Sequence, residues 1–147
     1  MSRSIVCGVD GSPEAQAALG VASRLSDQLG LRLVVAYVSQ AALFAAGPGP
    51  GPVMTTPTEE ELRSGAALVE KVVREERLLG AEQRSVYGLP AERLADLADE
   101  EDAELIVVGS RGRGAFKAAF LGSVSRDLIG VARCPVLVVP PGATGAV

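Results

Sequence analysis

An α/β domain built on an open parallel sheet is what this sequence predicts, and three observations carry that prediction. Short apolar runs rich in Val, Ile and Leu alternate with longer segments in which apolar residues recur every three or four positions, the pattern of buried strands separated by helices. Apolar residues make up 48% of the chain and aromatics only 3%, so the core has to be built from branched aliphatics and alanine. The segments between runs are also long enough for the right-handed helical crossovers that parallel neighbours require. At 147 residues the chain suits one domain over 1–147, whose folding buries roughly two-thirds of the extended chain's surface.

Ser4 to Val9 is the first strand, ended by Asp10-Gly11. Ser12-Pro13 follows as an N-cap with proline at the first helical position. Ala15, Ala18, Leu19, Ala22, Leu25 and Leu29 then form one helical stripe, and Gly30 stops it. Leu31 to Val38 is the second strand. Residues 41–57 contain Gly47-Pro48-Gly49-Pro50-Gly51-Pro52, a repeat incompatible with a helix or a central strand, and this stretch is expected to be a flexible loop.

Thr58-Glu59-Glu60-Glu61 matches a capping box, and Leu62, Ala66, Val69, Val72 and Val73 carry a helical stripe on towards Gly80. Ala81 to Tyr87 is a more polar third strand, and its polarity places it at a sheet edge. A helix opening at Gly88-Leu89-Pro90 runs through Leu94, Leu97 and Ala98 into the acidic stretch 99–102. Leu105 to Val108 is the fourth strand, Ser123 to Ala132 the last helix and Pro135 to Val139 the fifth strand. General fold preferences give these strands the order 3-2-1-4-5, with helices on both faces. Ligands of such sheets sit beyond the carboxyl ends of the strands where the order reverses. Asp10 and Gly109 both end strands on that rim.

A formal charge of −4 argues against nucleic acid or an anionic membrane as partner, because both need a positive field. The longest apolar runs fall far short of the ~20 residues that span a bilayer, and Ser2-Arg3-Ser4 leads into a strand instead of a signal-peptide segment, so a cytoplasmic protein is expected. Cys7 and Cys134 have no metal-like spacing and read as small buried hydrophobes. There is no histidine, which removes the commonest general base and transition-metal ligand; no metal site is expected.

The stretch Leu105 to Ser125, LIVVGSRGRGAFKAAFLGSVS, is the most informative. Gly109, Gly112 and Gly122-Ser123 let backbone amides approach a bulky anion, and the helix that follows offers unpaired N–H groups and its positive dipole end. This chemistry suits a polyphosphate. Arg111 can hold phosphate in a fork geometry, whereas Arg113, Lys117 and Arg126 also fit solvated surface charges. Asp10 suits hydroxyl recognition, although Asp-Gly at a strand end is also a common turn former. The chain has no GxxxxGK[ST] loop and no GxGxxG after its first strand.

Over nearly its whole length the chain resembles the ATP-binding branch of the universal stress protein family. The resemblance is carried by IVCGVDGSPEAQAAL, VVAYV, ELIVVGSRGRGAFKAAFLGSVS and RCPVLVVPP, and by the nucleotide signature G-x2-G-x9-G-(S/T), met at Gly109, Gly112, Gly122 and Ser123. It implies an adenine-nucleotide-hydrolase-like fold. It also implies that Asp10 contacts the ribose hydroxyls beside a wall of Gly8 and Val9, and that Val38 lines the adenine position. Val108 and Gly109 would continue the adenosine pocket, and Arg111, Gly112, Gly122, Ser123, Val124 and Ser125 would hold phosphates. The implied cofactor is ATP, with Mg²⁺ as its companion and no protein ligand for the ion that can be named. The implied role is a nucleotide-dependent sensor or switch in stress response, with an unidentified protein partner and a homodimer joined through Val136 to Val139. A nucleotide-independent dimeric interaction module and a slow ATPase are the alternatives, and no catalytic residue is assigned.

Overall fold

Ser4–Gly8 forms the first strand, β1, at the centre of the sheet, and its Ile5, Val6 and Cys7 are fully buried. A computed structural model describes residues 3–40, 43–44, 49, 53–54, 56–110 and 121–143. Around β1 lie β2 (Arg32–Gln40), β5 (Glu82–Gly88), β6 (Ala103–Gly109) and β7 (Val136–Val139), in the order β5-β2-β1-β6-β7. Every pairing in this sheet is parallel. With the main-sheet strands counted in sequence, this is the expected 3-2-1-4-5. The polar third strand is indeed an edge, and PVLVV supplies the other edge.

Successive strand residues point to opposite faces, so two cores form. On one face Ile5, Cys7, Leu33, Val35 and Val107 pack under α1 (Pro13–Leu29) and α2 (Glu59–Glu75). On the other, Val6, Val34, Ala36, Ile106 and Val108 pack under α3 (Pro90–Glu100) and α4 (Ser123–Val131). Burial pushes the Cys7 thiol up to about 12, so it stays protonated and behaves as a small hydrophobe. No helix among the described residues is long and apolar enough to cross a membrane.

The helix ends follow local chemistry. Ser12 caps α1 by accepting from the Ala15 amide, with Pro13 in the first turn, and Gly30 closes it at φ 66°. Thr58 and Glu61 complete the capping box of α2. This helix stops at Glu75 and does not run on to Gly80. Arg77 adopts φ 55°, its amide donates to Arg74 O and that of Leu78 donates to Val73 O, a Schellman closure made without glycine. The closure turns Leu78 back onto the α1/α2 core and makes the extra turn unnecessary.

The 41–57 stretch differs from a plain loop. Within it Leu43–Phe44 (β3) and Val53–Met54 (β4) pair antiparallel, Leu43 with Met54 and Phe44 with Val53. The Gly-Pro repeat falls between the two strands, outside the paired positions, where proline's missing N–H does no harm.

Two features fix the ends of the sheet. At the amino-terminal end, Glu101 accepts from Arg84 Nε and Nη2 at 3.1 and 2.9 Å and from Arg32 Nη1 at 3.2 Å, while its carbonyl accepts from the Ser4 hydroxyl at 2.8 Å. At the opposite end, a Cβ on Gly109 would lie 2.9 Å from the Glu14 carbonyl carbon and oxygen. Gly109 is therefore what lets β6 approach the first turn of α1.

Burial pushes the Glu101 carboxyl up, but hydrogen bonds from Arg32 and Arg84 outweigh it and hold the group below its ordinary 4.5. A carboxyl more acidic in the folded chain stabilises the fold above its unfolded value, and that contribution is lost as pH falls through the lower folded value. Glu101→Gln should therefore cost about 1–2 kcal/mol and roughly 3–6 °C of melting temperature at pH 7. In a calorimetric pH series the gap to wild type should narrow below pH 4.5. Gly109→Ala should cost about 1–3 kcal/mol, because the opposing atoms are backbone and cannot swing away. A urea midpoint that falls with an unchanged slope would bear this out; an unaltered midpoint would contradict the close approach.

Candidate functional site

At the carboxyl end of the sheet, β1 leads into α1 on one face and β6 leads towards α4 on the other. The two connections diverge from neighbouring strands and leave a cleft of about 400 Å³ between them, within the range of small-molecule sites. Gly8, Val9 and Asp10 come from the end of β1, Val38 from β2, Val108 and Gly109 from β6, and Gly122, Ser123, Val124 and Ser125 from the start of α4. The structure thus brings ten of the sequence-predicted residues to one cleft. Arg111 and Gly112 lie outside the described residues.

The Asp10 side is shaped by a turn. Val9 donates its amide to Ala36 O at 2.8 Å, continuing the sheet one residue beyond β1. Asp10 Oδ1 accepts from the Ser12 amide at 2.9 Å, and Gly11 takes φ 82°. This Asx turn leads into the Ser12 cap and holds the carboxylate at the cleft wall. The turn-former reading of Asp10 is thus met.

On the opposite side, Gly122 occupies the N-cap of α4 with φ −64° and ψ 161° and, being glycine, brings no side-chain cap of its own. Its amide donates to Ser110 O at 2.7 Å, and the Ser110 amide donates to Val139 O at 2.8 Å. Ser123 is exposed, Val124 is half-buried and Ser125 is 2% exposed. The Ser125 hydroxyl donates to Gly109 O at 3.1 Å and to Ser110 O at 3.2 Å. Its single proton is therefore directed to the backbone of the β6 end and not into the cleft.

Between these poles the walls are mostly apolar: Val9, Ala15 and Leu68 from the α1/α2 side, Val38, Leu94, Val108 and Val124 from the α3/α4 side. A Cβ on Gly8 would meet Leu94 Cδ1 at 3.0 Å, so this glycine keeps the α3 wall close to β1. Sequence reasoning missed Ala15, Ala36, Tyr37, Gln40, Leu68, Pro90 and Leu94, all of which line the cleft. Tyr37 and Gln40 flank Val38 along the strand end and were within reach of the same argument. Leu68 and Leu94 lie in apolar helical stripes, and nothing local distinguishes a stripe residue at the cleft from one in the core.

The arrangement pairs an anionic hydrogen-bond acceptor with a helix N-terminus across an apolar floor. It can hold a molecule with hydroxyls at one end, a flat apolar part and an anionic part at the other. Among the described residues no cluster of three His, Cys, Asp or Glu side chains could hold a metal ion.

The model of the Universal stress protein family matches residues 1–140. A universal stress protein from Thermus aquaticus, described by its position in the 3′ region of a QAH/OAS sulfhydrylase, is 35% identical over 143 residues, covering 95% of this chain and 99% of the relative. Universal stress protein Rv2005c of Mycobacterium tuberculosis is 31% identical over 142 residues, and the chain spans 48% of its length. Among solved structures, universal stress protein UspA from Lactobacillus plantarum matches with TM-score 0.75 at 23% identity, over 94% of this chain and 97% of that one. The Archaeoglobus fulgidus universal stress protein in complex with dAMP matches with TM-score 0.64 at 27% identity, over 93% and 97%. With the family model spanning nearly the full length and the fold matching its solved members, this chain belongs to the universal stress protein family.

Proposed function

We propose that the cleft binds an adenine nucleotide, ATP foremost, and that the chain acts in the cytoplasm as a nucleotide-dependent sensor or switch in stress response. The observation that carries this reading is the opposition of Asp10 and the glycine N-cap of α4 across one cleft. Asp10 accepts from ribose hydroxyls, Val38 and Val108 enclose the base, and the amides at Ser123 and Val124 face the phosphates. Arg111 and Gly112 join the phosphate side on the strength of the signature spacing. The dAMP complex of the Archaeoglobus relative supports the ligand class. Mg²⁺ accompanies the phosphates without a protein ligand that can be named.

Binding is favoured over turnover on one ground. Asp10 is the one carboxylate lining the cleft among the described residues, and its task is the sugar, which leaves hydrolysis slow at most. A second reading, a nucleotide-independent interaction module, draws on β7, which among the described residues is an edge strand paired with β6 alone. Such an edge can pair with a second copy across a two-fold axis, and a homodimer through Val136 to Val139 belongs to both readings. The protein partner that would receive the signal is unnamed in either.

Denaturing the purified protein and separating the supernatant by ion-exchange chromatography should release ATP or ADP, and calorimetry on nucleotide-stripped protein should register Mg-ATP and dAMP. Asp10→Ala should weaken both by roughly tenfold or more, the loss expected for hydrogen bonds to a charged acceptor. No released nucleotide and no heat of binding would leave the interaction module as the function. Sedimentation at micromolar concentration should give a dimer; a monomer would remove the β7 pairing from both readings.

A further inference from the structure

We propose that Ser125 is a positioning residue, which sets the phosphate side of the cleft through the backbone and makes no contact of its own with phosphate. The inference rests on the adenine-nucleotide reading above and departs from the residue role that the resemblance implies. Ser125 is 2% exposed, and its hydroxyl donates to Gly109 O at 3.1 Å and Ser110 O at 3.2 Å. Ser110 O also accepts from the Gly122 amide at 2.7 Å, and the Ser110 amide donates to Val139 O at 2.8 Å. Ser110 is thus held from three directions: by β7, by the N-cap of α4, and by a side chain one turn inside that helix.

These bonds form a clasp. They tie the point where the chain leaves β6 to the point where it enters α4, and so set how far the amides of Ser123 and Val124 stand from the β6 rim. A hydroxyl has one proton. While Ser125 spends it on the two carbonyls, the hydroxyl cannot also donate to a phosphate oxygen, and its burial keeps it from turning outward without giving up both of those bonds. What the side chain contributes is the spacing of its neighbours' donors.

Amide exchange in ligand-free protein tests the clasp without any nucleotide. In Ser125→Ala the Gly122 amide should exchange about five- to tenfold faster, as expected for loss of one hydrogen bond supporting its acceptor. Amides in the middle of β1 should be unchanged. Calorimetry then separates roles: ATP should bind roughly tenfold more weakly to Ser125→Ala, while adenosine, which has no phosphate, keeps its affinity within about twofold. Ser125→Thr, which retains the hydroxyl, should restore both readouts. If Ser125→Ala does not fold, Ser125→Cys, whose thiol is a weak donor, should show the same exchange and affinity changes in part. Unchanged exchange at Gly122 would overturn the clasp even if ATP binds weakly, because that pattern belongs to a direct phosphate ligand. Equal weakening of adenosine and ATP would overturn it as well. Wild-type protein that has a protected Gly122 amide but binds neither ligand would refute the nucleotide reading and, with it, the positioning role.

Discussion

The reversal of strand order between β1 and β6 is the constraint on which the rest depends. A right-handed crossover from β1 to β2 puts α1 on one face, and the crossover from β6 to β7 puts α4 on the other. Two chains leaving adjacent strands in opposite directions cannot close over the gap between them. The cleft is thus a product of topology before any side chain is chosen. Side chains decide only what it holds, and here a carboxylate lies on one bank and a helix start with glycine at its N-cap on the other.

Much of this was legible because the core uses simple alternation. Ile5 and Cys7 face one helical layer and Val6 the other, and a run with both neighbours apolar reads as a strand buried on both sides. The polarity of 81–87 reported an edge for the same reason: among the described residues β5 has a strand on one side only. Less visible was the end of α2. A helical stripe in sequence says where apolar residues recur, not where the backbone stops using them, and Arg77 enters the left-handed region without the glycine that would have announced it. The β3/β4 pairing was hidden in a different way, since the Gly-Pro repeat between the strands dominates the composition of the whole stretch.

The site was readable to the extent that it is local. Asp10-Gly11-Ser12-Pro13 encodes a turn and a cap in consecutive residues, and Gly122-Ser123 encodes a helix start. Their meeting in space depends on strand order, which fold preferences supplied. Of the remaining lining residues, Leu68 on α2 and Leu94 on α3 reach the cleft only because of how those helices pack. No residue-level signal separates them from Leu19 or Leu97, which are buried in the core.

The glycine signature itself mixes two physical demands. Glycines spaced along a strand-to-helix turn suggest backbone room for an anion, and Gly122 at the α4 cap suits that purpose. Gly109 answers to another pressure, since the Glu14 backbone occupies the space a side chain would need. Ser125, two residues beyond the signature, turns inward to Gly109 and Ser110 instead of outward. With Gly109 packed against the first turn of α1 and Ser125 bonded back to the end of β6, Gly122 and Ser123 are presented at a fixed height above the sheet. Preorganisation of that kind lowers the ordering cost of any ligand that binds there.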